Sequence, residues 1–241
     1  MIPAEKKTGT KEALLCAAEE LFSQKGYAAV STRELAQKAA VNLGAIQYHF
    51  GSKADLFVET IRRIMSRGED TCEIGTFVFQ AKNRAEAAIE LFFFIRAFLQ
   101  ETCHPTGPDA CRMMHREVLG ATSENEEIFE ALVSSVVEEF FRPVDSSLLE
   151  LVGFLKPTAS QEERVLILHS IYGQCMYYAT DRPFIVGLRG LDYASEPLLS
   201  QVCAHITTFT LGGCDFSKDD IAQAIEHSQN QLALSHKGMH S

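Results

Sequence analysis

At 241 residues, with 46% hydrophobic and 22% charged positions and no low-complexity tract, the chain is long enough to bury a core without metals or crosslinks, which excludes a disordered or fibrous molecule. The formal net charge of −10 speaks against a nucleic-acid partner only as an average. The first 67 residues carry ten Lys and Arg against seven Asp and Glu, a net of +3, while the remaining 174 carry twelve against twenty-five, a net of −13, so a polyanion is expected to meet the front end.

From Lys11 onward, Ala13, Leu14, Ala17, Ala18, Leu21 and Phe22 recur at helical spacing until Gly26, which suits a C-terminal cap. Ser31-Thr32-Arg33-Glu34 has the spacing of a capping box and opens a short second helix to about Ala39. A third helix of two turns takes Asn42 as its N-cap and covers Leu43 to His49 before Gly51 breaks it. Ser52-Lys53-Ala54-Asp55 then opens a longer fourth helix through Leu56, Phe57, Ile61, Ile64 and Met65, fading near Asp70. Beyond it, helices are predicted near 83–103, 108–121, 124–154 with a bend at Pro143, 160–180, 196–212 and 218–233, separated by prolines that a helix interior does not accept. Residues 182–196 read as the longest ordered loop, and those after Leu234 as a frayed tail. The pattern predicts an all-α protein with a three-helix domain at 1–51, a connecting helix at 52–75 and a larger helical domain at 76–241.

No uncharged apolar run approaches the ~18–20 residues of a membrane span. The opening Met1-Ile2-Pro3-Ala4-Glu5-Lys6-Lys7 lacks the apolar core of a secretion signal, so the cytoplasm is the expected address. The seven cysteines (Cys16, Cys72, Cys103, Cys111, Cys175, Cys203 and Cys214) are odd in number and form no Cys-x-x-Cys pair, the pattern of reduced and mostly buried thiols. Cys103-His104 with Cys111 and His115 offers a metal or redox alternative, but the spacing matches no established zinc pattern, and no metal or cofactor is expected. Without a Gly-rich phosphate loop, a nucleophile elbow or a His-Glu-x-x-His, nothing points to an enzyme.

Two short helices joined at Ala39-Ala40-Val41, the second opening with the small residues Gly44 and Ala45, have the form of a helix-turn-helix. The second helix of such a unit enters the major groove, about 12 Å wide. It should present Leu43, Gly44, Gln47 and Tyr48 outward while Ile46 and Phe50 turn in against Leu21, Phe22 and Leu35. Gln47 is the base-reading candidate, because its amide pairs in bidentate fashion with adenine N6 and N7. Thr32, Arg33, Tyr48, His49 and Lys53 suit phosphates, Asn42 and Ala45 complete the DNA-facing set, and Lys6, Lys7 and Lys11 would extend a basic stripe.

Thr32-Arg33-Glu34-Leu35-Ala36, followed by Val41-Asn42-Leu43-Gly44-Ala45-Ile46-Gln47-Tyr48-His49-Phe50-Gly51-Ser52-Lys53-Ala54-Asp55-Leu56, resembles the DNA-binding signature of the TetR family over residues 10–57. The resemblance implies DNA contacts at Thr32, Arg33, Gln47, Tyr48, His49 and Lys53. Ala40 stands where that family often has a turn glycine, and Gln47 where it often has tyrosine or asparagine, so the operator sequence does not carry over. Through His115-Arg116-Glu117-Val118-Leu119 and Ser170-Ile171-Tyr172-Gly173-Gln174-Cys175, residues 84–214 are similar to the C-terminal domain of CecR-like members. That similarity implies an effector pocket among the middle helices and a homodimer through helices near 160–180 and 196–212. Leu166, Ile167, Ile171, Cys175 and Met176 on one helix, with Leu198, Val202, Ile206 and Phe209 on the other, offer faces for such a bundle.

The helix with Phe92, Phe93, Phe94, Phe98 and Leu99 is apolar nearly all round and reads as a pocket wall. Met113 and Met114 are adaptable liners, and His115, Arg116 and Glu117 either orient a ligand or pair with one another. Tyr172 and Gln174 could add hydrogen bonds, with Phe140 and Phe141 closing another side around an apolar or aromatic effector. The expected function is a sequence-specific repressor in which a ligand tilts the fourth helix and changes the spacing of two recognition helices. The alternative is an all-helical ligand-binding or adaptor dimer without DNA affinity, which a neutral or acidic face around Gln47 would favour.

Overall fold

The structure, a computed structural model, describes residues 4–67, 78–103, 113, 130 and 133–238, and these described residues contain no β-strand. They fall into two compact units, Met1–Cys72 with Pro108–Arg142 and Glu73–Gly107 with Pro143–Ser241.

The first unit contains α1 (Ala4–Lys25), α2 (Thr32–Lys38), α3 (Gly44–Phe50), α4 (Lys53–Arg67) and a π-helical stretch, Val133–Phe141. The apolar positions read from the sequence converge: Leu14, Ala18, Phe22, Leu35, Ile46, Leu56, Phe57 and Ile61 form one buried cluster. Phe22 meets Phe57 edge to face with ring centroids 5.1 Å apart. Burying side chains of this size contributes roughly 1.5–3 kcal/mol each, which holds three short helices that would not persist alone. Ser31 Oγ accepts from the backbone N–H of Glu34, but the expected return arm is missing, because the Glu34 carboxylate pairs with Lys25 at 2.5 Å. Asn42 Oδ1 accepts from Gly44 N at 2.9 Å and starts α3, and Gly51, at φ +90°, ends it.

The expected seam at residues 51/52 is absent. Leu56, Phe57, Val58 and Ile61 put α4 inside the same core as α1, and Met113 and Val136 join that core from far along the chain. Arg63, nearly buried on α4, reaches back to the carboxylates of Glu12 and, at 3.7 Å, Glu19 on α1.

The second unit is built on α5 (Arg84–Cys103), which packs against α7 (Gln161–Thr180), α9 (Leu198–Gly213) and α10 (Lys218–Gly238). Its core joins Leu91, Phe92, Phe94, Ile95 and Leu99 of α5 to Leu148, Leu151 and Val152 of α6 (Arg142–Leu155) and to Leu168, Ile171, Val202 and Ile206. Arg84 ties two helix ends together: it donates to the carbonyls of Leu155 and Cys214 while lying 3.9 Å from the Phe216 ring centroid. Arg96, buried on α5, donates to Glu196 at 2.6 Å and Ser200 Oγ at 3.3 Å.

Three expectations change here. Residues 182–196 are not a loop throughout but begin with α8 (Arg182–Arg189), which starts on Pro183 in its first turn, where no N–H is needed, and ends at Gly190, at φ +66°. The tail after Leu234 continues α10 to Gly238. The proposed dimer faces are largely internal: Ile171, Cys175, Val202 and Ile206 belong to the unit's own core because they point at α5. Leu166 and Phe209 of those faces are exposed, and they lie in stripes with Ser170, Gly173 and Tyr177 on α7 and with Gln201, His205, Thr208 and Gly212 on α9. The predicted 108–121 helix and the first part of 124–154 lie outside the described residues apart from Met113 and Glu130. From the second of these predictions, the described part winds as a π-helix to Phe141 and as an α-helix from Arg142, next to Pro143, where the bend was expected.

Candidate functional site

On α3 a single buried residue, Ile46, fixes the helix to the core, so the opposite face is turned to solvent by the helical period alone. Asn42, Leu43, Gly44 and Gln47 are exposed, and Tyr48 is the most open of them among the large side chains, at 63%. Ala45 and His49 are half-buried, with the His49 ring edge-on to Tyr48 at 5.0 Å. Thr32 is half-buried and Arg33 exposed in the first turn of α2, and Arg33 has no ion-pair partner among the described residues.

Lys53, in the first turn of α4, lies over the Tyr27 ring at 3.9 Å from its centroid, a cation–π contact. Lys11 leans toward Glu59 at 3.5 Å and Phe50 at 5.6 Å, Lys25 and Lys38 pair with Glu34 and Glu20, and the side chains of Lys6 and Lys7 lie outside the described residues. Arg33 and Lys53 stand in the first turns of α2 and α4, the helices that flank α3 in the chain. The result is a mainly uncharged helix edge turned to solvent at Leu43, Gly44, Gln47 and Tyr48.

In the second unit, α5 and α7 bring Phe94, Phe98 and Tyr172 together, with centroid distances of 6.0 to 6.4 Å, and Phe79 joins them at 6.0 Å from Phe94. Burial, then the neighbouring Asp145 carboxylate, pushes the Tyr172 hydroxyl well above its ordinary range, so it is a neutral donor at any physiological pH. Phe79 escaped the sequence reading because it stands before α5 without helical periodicity.

Of the other pocket candidates, Met113 lies in the core of the first unit, Phe141 belongs to that unit and is exposed, and the Gln174 amide donates to Ser170 O on its own helix. Met114, His115, Arg116 and Glu117 lie outside the described residues, as do Cys111 and the side chain of Cys103, and so does Phe140's side chain. A separate cleft of about 320 Å³ opens between α5 and α10, with Ala88, Ile89 and Phe216 on its floor and Asp220, Gln223 and His227 on one edge.

Comparison with known proteins agrees with both halves of the geometry. Residues 14–60 match the family of bacterial regulatory proteins described as the tetR family, and residues 87–214 match the C-terminal domain of the HTH-type transcriptional dual regulator CecR. The chain is 26% identical over 222 residues to CecR of Shigella flexneri, covering 84% of this chain and 92% of that protein. It is 29% identical over 112 residues to YttP of Bacillus subtilis, a probable HTH-type transcriptional regulator, and spans about half (52%) of that protein's length. Among solved structures, a transcriptional regulator from Rhodococcus sp. Rha1 superposes with a TM-score of 0.56 at 18% identity over 86% of this chain and 98% of that one. NalD, the secondary repressor of the MexAB-OprM multidrug efflux pump in Pseudomonas aeruginosa, gives 0.52 at 20% identity, covering 87% and 97%. All four are transcriptional regulators rather than enzymes.

Proposed function

We propose that this chain, which belongs to the TetR family of bacterial regulatory proteins and carries a domain of the CecR C-terminal type, is a homodimeric operator-binding repressor whose operator affinity is changed by a small apolar or aromatic effector. The observation that carries the DNA-binding part is the exposed edge of α3, where Leu43, Gly44, Gln47 and Tyr48 are turned to solvent on a helix locked by Ile46, with Arg33 and Lys53 in the first turns of α2 and α4. Gln47 reads a base, and Thr32, Arg33, Tyr48, His49 and Lys53 fix register on phosphates, while Asn42, Gly44 and Ala45 let the backbone approach.

Two such edges on a two-fold axis must reach half-sites about 34–36 Å apart. The exposed stripes of α7 and α9 support the dimer: neither helix carries a formally charged residue from Val165 to Thr180 or from Leu198 to Cys214, in a chain that is otherwise acidic. The cluster of Phe79, Phe94, Phe98 and Tyr172 supports an aromatic effector, with the Tyr172 hydroxyl as its orienting donor. The effector acts only through unequal affinity for the two spacings of the recognition helices.

Fluorescence-anisotropy titration against the DNA upstream of the protein's own gene, beside an unrelated duplex and at several salt concentrations, tests this reading. Selective binding that falls with salt and is relaxed by Gln47→Ala or Tyr48→Ala is expected. Failure across a library of genomic fragments at low salt would leave a ligand-binding dimer without DNA affinity.

A further inference from the structure

We propose that α8 is an interlocking arm of the dimer, in which Phe184, Gly187, Leu188 and Leu191 dock on a second copy of this chain and extend the α7 and α9 interface. The inference rests on the homodimer reading above. Within its own unit α8 buries one large apolar side chain, Ile185. Phe184 is 72% exposed and Leu188 69%, and Val186 and Leu191 are also open, the densest run of exposed large apolar residues among the described ones. Phe184, Gly187 and Leu188 follow the i, i+3, i+4 spacing within α8, so they share one side, with Leu191 exposed just past the Gly190 cap, and a side chain added at Gly187 would meet nothing within 4 Å. That leaves a notch between two ridges, the shape that helix packing fills.

The arm is held rather than loose. Arg182 donates through Nε and Nη2 to the two carboxylate oxygens of Asp192 at 2.9 and 2.7 Å, and Asp192 Oδ1 also accepts from Ala194 N at 3.1 Å. Tyr193 packs edge-on against Tyr178 of α7 at 5.4 Å. Docking a segment already pinned at both ends loses little conformational entropy.

The charge pattern selects the occupant. Residues 165–214 contain only Asp181, Arg182, Arg189, Asp192 and Glu196 as formal charges. Arg182 and Asp192 neutralise each other and Glu196 pairs with Arg96, leaving Asp181 and Arg189, of opposite sign. A basic protein would require acidic residues on this surface and an anionic membrane would require basic ones. A neutral face with one charge of each sign is self-complementary, which a two-fold interface demands. In the chain α8 lies directly between α7 and α9, and it packs on α7, which sets it beside one of the two proposed dimer helices.

Sedimentation velocity on the full chain tests this with three proteins: the unaltered chain, Phe184→Ser with Leu188→Ser, and Phe209→Asp on α9. An unaltered chain that stays monomeric removes the dimer reading and the arm with it. If Phe209→Asp dissociates the dimer and the α8 double variant raises the dimer dissociation constant about tenfold or more, the arm stands. A double-variant constant within about twofold of the original overturns the arm and leaves the dimer intact. Should the double variant lose helical circular dichroism, hydrogen exchange of the unaltered chain decides: amides of 184–191 gain protection as concentration rises through the dimer transition if they dock, and the proposal fails if they do not.

Discussion

Ala40 occupies the turn of the helix-turn-helix with φ at +53°, in the left-handed region that favours glycine. The departure from the family's common turn glycine was visible in the sequence; the strain it implies needed the backbone. Ala40→Gly is expected to raise unfolding stability by about 1 kcal/mol, less the entropy glycine gives the unfolded chain, measured by urea denaturation. On the exposed edge of α3, Gln47→Ala should cost ~1–3 kcal/mol for the preferred operator and relax selectivity at one base pair. Arg33→Ala should instead weaken all duplexes alike and lower the slope of log affinity against log salt by about one, checked by anisotropy across salt concentrations. The outward face of α3 was legible because one buried position, Ile46, sets it on a two-turn helix. The aromatic cluster was legible only in part: Phe94, Phe98 and Tyr172 meet, whereas spacing along the sequence could not tell that Met113 would join the core of Phe22 and Phe57.

At the scale of the element, α8 was misread because Pro183 and the Asp181-Arg182-Pro183 step look like a break, whereas proline two residues into a segment begins a helix as readily as it ends one. Its closure depends on two carboxylates. Hydrogen bonds from Arg182 and Ala194, with the guanidinium charge, hold Asp192 below its usual range. Burial alone would raise Glu196, but the hydrogen bonds from Arg96 and Ser200 and the Arg96 charge outweigh it and hold this carboxyl low too. Because both folded-state values are depressed, their contribution is fully present above the ordinary carboxylate range and is lost as pH falls through the lowered values. Near-ultraviolet circular dichroism should therefore lose the signal of the Tyr178 and Tyr193 pair below that range while remaining flat from pH 6 to 8, and Asp192→Asn should reproduce part of the loss at neutral pH.

For the whole molecule, helical content and the order of most elements followed from periodicity, but the grouping into units did not. The first unit draws on residues 108–142 as well as the N-terminus, a long-range association for which one sequence carries no signal. If two copies bind as proposed, inserting roughly half of the 10–10.5 base-pair helical repeat between half-sites should abolish high-affinity binding, whereas a full repeat should restore part of it only if the protein can span the added rise. The uncharged runs of α7 and α9 have a further consequence. If the chain pairs as proposed, each copy brings a net charge of −10, so ions that screen this repulsion would favour the dimer, while the same ions would weaken its hold on phosphates. Near the concentration at which dimers form, operator occupancy should then rise and fall with ionic strength, an optimum in salt that neither association has by itself.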